Sequence, residues 1–333
     1  MCGVCPYANA IASSYAQEKA NRASAIFGGK FPHATAIFPG GCTLTPNVDH
    51  ISTYRSLILE VRDFIHKKYL ADLLAVAESF PDYWHIGQSK GGFLSYGLLP
   101  LGPKPDSRRL FASGVIMQNS VQPVDFEAIS EDVKYSRYSS PSGLKIREGA
   151  LEPAPHKESA YTWIKAPRYK GQMMEVGAAA RVTIDYLQGN NPTIKQLVDK
   201  FAAEAGIGIK NLNSVLGRHL SRAISGVVIA DFLLAETEKI DPGAPSIADF
   251  HVPESGEDFG ATEASRGALL HYIKIKNYPG HDSHPGLFTR PGLHRLLYLP
   301  ITGAITKCGH HGDGILKTGF SYRPVIGLRK ASP

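Results

Sequence analysis

Cys2 and Cys5 stand at C-x-x-C spacing at the start of the chain. Two thiols so placed can form a disulfide, act as a redox pair, or supply half of a metal site. A thioredoxin-type pair needs a strand before it, and there is no room for one. A zinc site needs two more ligands. Cys308, His310 and His311 have the right types, but C-x-H-H is poor spacing. By itself the pair stays ambiguous. A second piece is TEASRGALLHYIKIKNY (262–278). There Arg266 enters a strand between a small residue and Gly267. A guanidinium keeps its charge and offers five donors, so it suits an anionic or cyanide-like ligand. The plainer reading is an i, i+3 surface ion pair between Glu263 and Arg266. The third piece, YTWIKAPRYKGQMMEVGAAAR (161–181), puts Trp163, Pro167, Arg168, Tyr169 and Gly171 in a rigid loop. Glu175 and Gly177 then lead into a helix. Read alone, this piece is equally a packed connector.

These residues need elements to hold them. Apolar spacing predicts helices over 10–27, 47–80, 193–205 and 211–239. For 47–80, Asn47 is the expected N-cap and Pro81 lies just past the end. Ile51, Tyr54, Leu57, Ile58, Val61, Phe64 and Ile65 share its inner face. The 193–205 helix is expected to be capped near Thr193 and stopped by Gly206. Leu212, Val215, Leu216, Leu220, Ile224, Val227 and Val228 form the inner face of 211–239. Residues 110–117 and 269–278 read as strands, and 133–160 as an exposed excursion. The expected fold is mainly α with small β pieces, an α+β body with a helical core. There are no internal repeats.

Composition narrows the function classes. The 333 residues are 43% hydrophobic and 20% charged, enough for a large core. No apolar run is long enough to span a membrane, and no secretory signal is visible. Four cysteines do not make a disulfide scaffold. The net charge of +6 comes mostly from residues 279–333. That stretch holds Arg290, Arg295, Lys307, Lys317, Arg323, Arg329 and Lys330 against Asp282 and Asp313. It is also rich in Gly, Pro and His. It lacks a regularly spaced Lys/Arg cluster, so nucleic acid is not the expected partner.

Taken together, the pieces resemble the large subunit of nickel–iron hydrogenases. CGVCPYAN looks like that family's C-G-x-C-x-x-x-H motif. AIFGGKFPHATAIFPGG (25–41) looks like its G-G-K-x-P-H segment and the P-G-G that follows. The 47–80 helix and YWHIGQSKGGFLSYGLLP (83–100) match its next stretch. WIKAPRYKGQMMEVGAAAR and FGATEASRGALLHYIKIKNY look like its K-A-P-R-Y-x-G-x-x-M-E-V-G-P-x-A-R and G-x-x-E-A-P-R-G-x-L-x-H-x-I. The match is collinear over residues 1–278.

The resemblance implies a nickel–iron centre, with carbon monoxide and cyanide on the iron, that oxidises H2 reversibly. Soft thiolates suit nickel. Cys2 would be a terminal nickel ligand and Cys5 a bridging one. Arg266 would stand beside the open coordination position and the cyanides as the catalytic arginine. Asn9, Glu263 and Ser265 would lie just outside the ligands. The implied partners are a small subunit carrying iron–sulfur clusters and the maturation factors. The chain has too few cysteines to hold such clusters itself. The compartment stays open between the cytoplasm and, through an export signal on the partner, a periplasmic or membrane-associated position.

The sequence also departs from the pattern. The family's N-terminal R-I-E-G-H region and a long internal helical segment are missing. Asn9 replaces a histidine, and Ser265 replaces the proline of A-P-R-G. The C-terminal D-P-C-x-x-C-x-x-H is absent, and Val325 and Leu328 fall where its thiols would be. The expected organisation is an incomplete hydrogenase-like domain, 1–278, followed by a non-homologous basic tail, 279–333. Sliding the codons of PGHDSHP by one base permits Gln-Val-Thr-Thr-Pro-Thr, as in the family. The same shift in RPVIGLRKAS permits Asp-Pro-TGA-x-x-Cys-Ala-Lys-His, where TGA can encode selenocysteine. A nickel–iron–selenium branch of the family uses that residue there. The tail is therefore read as out of frame. The other readings are a metal-free hydrogenase-like structural subunit and a truncated, non-functional product.

Overall fold

The computed structural model describes residues 6–275, except 39, 103–106, 119, 149–151, 250–252 and 265, together with residues 296–300. Its helices and small sheets match the expected mixture. Helix α1 (Pro6–Gly28) leads into a two-strand ribbon, β1 (Ile37–Phe38) and β2 (Gly41–Cys42). The ribbon is stitched to a distant loop, since Cys42 N–H donates to the Ser246 carbonyl and Ala248 N–H to Gly40.

The expected helix over 47–80 runs unbroken from Val48 to Ser79, in two α segments. These are α2 (Val48–Phe64) and α3 (Leu70–Ser79), joined by a π-helical turn over Ile65–Tyr69. The extra residue of a π turn breaks the 3.6-residue period, so one continuous apolar face cannot persist through it. Tyr54, Leu57 and Ile58 are buried as expected, against Ala23 of α1. Asn47 is the N-cap. Its Oδ1 accepts from His50 N–H at 2.8 Å, and His50 Nδ1 accepts from Asn47 N–H at 3.4 Å. Asn47→Ala is expected to lower stability by about 1 kcal/mol. Urea unfolding checks this.

A four-stranded sheet, order β5-β4-β3-β9, follows, with β3 (Gly92–Pro100), β4 (Arg109–Met117), β5 (Ser120–Gln122) and β9 (Met174–Glu175). β3 pairs antiparallel with β4 and parallel with β9. Side chains on β3 alternate across the sheet. Phe93 packs with α4 (Ala178–Gln188), while Leu94 and Tyr96 join a second core under the β10–β11 hairpin. Burial on both faces leaves no apolar–polar alternation in GFLSYGLLP, which hides this strand from a periodicity reading.

The 133–160 stretch is not simply an exposed excursion. It is built onto a small sheet, order β7-β6-β8, of β6 (Ile129–Asp132), β7 (Leu144–Lys145) and β8 (Ala166–Tyr169). Val133, Ser136 and Ile146 are buried. Lys157 Nζ holds the Val133 and Tyr138 carbonyls, each at 2.9 Å. Below them the buried Lys165 ammonium meets Glu131 at 2.5 Å. These long-range polar ties give the segment its order without a regular apolar pattern.

The remaining helices enclose the main core. α5 (Pro192–Ala205) is capped by Asn191, two residues before Thr193, as the expected cap near Thr193 requires. The Asn191 side chain accepts from Thr193 N–H, and Gly206 ends the helix in the left-handed conformation. α6 (Val215–Thr237) starts later than the periodicity suggests, because Ile209–Leu212 forms a 3-10 turn and Ser214 is the N-cap. A Cβ on Gly217 would lie 2.3 Å from the Asn211 carbonyl oxygen, so only glycine lets the turn fold back on α6. Leu73, Trp84, Phe111, Val182, Ile194, Phe201, Leu216 and Ile224 pack together there.

β10 (Gly256–Ala264) and β11 (Gly267–Ile275) form a hairpin. Leu296–Pro300, β12, pairs antiparallel with β11. Of the expected 269–278 strand, residues 276–278 lie outside the described residues, as does all of the tail apart from β12.

Candidate functional site

Arg266 occupies the tight turn between β10 and β11, where Ala264 pairs with Gly267. The turn is pressed against the start of α4. Gly177, the N-cap of α4, has φ +102, a conformation L side chains rarely adopt. A Cβ there would also stand 2.8 Å from the Arg266 carbonyl oxygen. The family-like E-V-G segment therefore needs its glycine for close approach as well as for φ.

Arg266 is exposed and lines a small cleft of about 30 Å³. Glu175, residues 176–179, Arg218 and Arg222 form the rest of it. Glu175 is buried and held in a fork by Arg218, with Nε–Oε1 2.6 Å and Nη2–Oε2 2.8 Å. Arg218 Nη1 also donates to the Gly87 carbonyl at 2.6 Å. Three arginines and one carboxylate thus line a cleft beside a helix N-terminus. The cleft is cationic, and it favours anionic groups on electrostatic grounds.

Glu263 does not pair with Arg266. It is buried, and Arg181 Nη1 donates to its Oε2 at 2.9 Å. Tyr96 N–H donates to its Oε1 at 2.9 Å. The i, i+3 spacing fails because, on a β hairpin, Glu263 points into the core while Arg266 sits in the turn. Burial pushes the Glu263 carboxyl above its ordinary value, and the Arg181 guanidinium pulls it back.

Arg181 was within reach of the sequence but carried no assigned role there. GAAARVTI places one charge among apolar residues on a helix, and a charge so placed needs a buried partner. The Glu175–Arg218 fork had no local signal, because its partners lie on β9 and α6.

The other expected site residues are less placed. Cys2, Cys5, Ser265, Val325 and Leu328 lie outside the described residues. Asn9 lies in the first turns of α1. Among the described residues, no group of three or more His, Cys, Asp or Glu comes together to hold a metal. Cys42 is committed elsewhere, its Sγ donating to the Phe27 carbonyl at 2.7 Å. Also among the described residues, no helix is long and apolar enough to cross a membrane.

Comparison with known proteins decides the family. The model of the nickel-dependent hydrogenase family matches residues 15–279. The chain belongs to that family. It is 31% identical over 265 residues to the periplasmic NiFeSe hydrogenase large subunit of Desulfomicrobium baculatum, covering 76% of this chain and 50% of that protein. It is also 31% identical over 300 residues to the uptake hydrogenase large subunit of Bradyrhizobium diazoefficiens, with the same 76% and 50% coverage. Among solved structures, the Ni-Fe-Se hydrogenase from D. vulgaris Hildenborough superposes with a TM-score of 0.71 at 32% identity, covering 81% of this chain and 57% of that one. The fold of this hydrogenase-family chain is therefore that of a large subunit. The chain spans about half the length of the curated relatives it matches.

The described residues of this family member do not supply the ligand set of a nickel–iron centre. Among the described residues the cleft is cationic, and no group of three or more His, Cys, Asp or Glu is gathered to hold a metal.

Proposed function

We propose that this chain is part of a nickel-dependent hydrogenase large subunit and takes part in reversible H2 oxidation, handing electrons to a small subunit. The observation that carries this reading is the assembly around Arg266. The E-V-G motif and Arg266, far apart in sequence, meet at one cationic cleft with α6. The small subunit is read as the carrier of iron–sulfur clusters, since this chain has only four cysteines. Dedicated maturation factors are expected to install the metals.

Each residue has a stated part in this reading. Cys2 and Cys5 are the thiolates offered to nickel and iron. Arg266 holds a permanent positive charge at the cleft, which attracts and orients anionic groups and cannot be lost by deprotonation. Asn9 and Ser265 would adjust the surroundings of the thiolates. Residues 1–278 are read as the hydrogenase-like domain and 279–333 as an out-of-frame tail. The nucleotide sequence tests the latter: without a D-P-C/U-x-x-C-x-x-H in the shifted frame, that reading fails.

Metal analysis tests the functional reading. Nickel and iron at about one of each in purified, folded chain, falling in Cys2→Ser and Cys5→Ser because thiolate donors are lost, would support it. No metal in a folded chain would favour the metal-free structural subunit. An insoluble or degraded product would favour the truncated one.

A further inference from the structure

Arg181 is almost completely buried, with 2% of its surface exposed, and Glu263 has 1%. Besides Glu263, the same Arg181 Nη1 donates to the Ala264 carbonyl at 2.8 Å. That carbonyl lies two residues before Arg266. Glu263 is held from the other side by Tyr96 N–H of β3. Arg181 stands four residues after Gly177, in the first turns of the helix that abuts the Arg266 peptide. The β10–β11 turn is therefore gripped from two directions. Backbone packing at Gly177 limits its approach, and a buried charge-assisted network fixes the end of β10.

We propose that Arg181 is a positioning residue for Arg266, acting through the Glu263 carboxylate and the Ala264 carbonyl. This rests on the reading of Arg266 as the functional cation of the cleft. A buried ion pair is poor evidence for stability, because two apolar side chains of similar volume often serve as well. Its value here is directional. It specifies one placement of a short turn, and the turn carries an exposed, long side chain that would otherwise sample many rotamers.

The test separates position from stability. The double variant Arg181→Met/Glu263→Met removes both charges and is expected to fold, as shown by circular dichroism. In full-length, 15N-labelled chain, the Arg266 Nε–H signal is assigned by its disappearance in Arg266→Lys. In the double variant that signal is expected to move and to lose its order in heteronuclear relaxation. Amide exchange over residues 262–268 is expected to rise about tenfold, with β6–β8 unchanged. Arg181→Lys, whose single ammonium can meet both acceptors, should restore the signal in part. A folded double variant with the wild-type Arg266 signal and wild-type exchange overturns the proposal. If the double variant fails to fold, Glu263→Gln is read the same way, with a smaller displacement expected and an unchanged signal again overturning it. Neither readout needs metal or turnover. A chain that holds no metal would sink the hydrogenase reading and leave the positioning result standing.

Discussion

Arg181→Ala is expected to lower the unfolding free energy by about 3–5 kcal/mol, the scale for removing one partner of a buried pair. The loss is not the worth of the contact. It is the cost of leaving the Glu263 carboxylate, 1% exposed, without its counter-charge. Tyr96 N–H remains as one donor, and the Ala264 carbonyl loses its partner. Denaturant unfolding at unchanged slope measures the effect. The pH dependence carries a further signature. Burial already raises the Glu263 carboxyl above its ordinary 4.5, and loss of Arg181 raises it further. A carboxyl raised in the folded state binds more protons there than in the unfolded chain. The variant is therefore expected to be least impaired below about pH 4.5, and to lose stability as pH rises through the folded value. A cost below 1 kcal/mol, flat with pH, would mean the carboxylate finds water or another donor.

Under the proposed function, in the enzyme assembled with its small subunit, Arg266→Lys is expected to cut hydrogen turnover by about a hundredfold, the scale for removing a preorganised donor at a reaction centre. Folding stability is expected to change by less than about 0.5 kcal/mol, because the side chain is exposed and lies outside the buried network. Lysine keeps the charge but replaces a planar, five-donor fork with a compact ammonium. A charge-only role would survive that exchange; a directional role would not. Turnover measured beside unfolding separates the two, and wild-type turnover in Arg266→Lys would leave Arg266 a charge-only role.

Local signals carried much of the fold. α1, α5 and α6, the capped start of α2, and β4 follow from apolar periodicity, an Asn cap, and glycine stops within one chain segment. The strands β3 and β10 did not, since β3 is buried on both faces and β10 is defined by its partner. The order within 133–160 comes from Lys157, Ser136 and the Lys165–Glu131 pair. Their partners sit up to 34 residues away and leave no periodic trace.

For the site, sequence alone determined the family, through several motifs in one order, and singled out Arg266 as the cation to watch. Motif order survives without coordinates because each motif is a contiguous string. Tertiary structure decided what each charge does. It turned Glu263 away from Arg266 and onto Arg181, put Glu175 in the fork of Arg218, and brought Gly177 against the Arg266 peptide. The physical reason is burial. A charge in the core is held by whichever opposite charge or backbone dipole the fold delivers, at any separation along the chain, and spacing in sequence cannot say which one that will be.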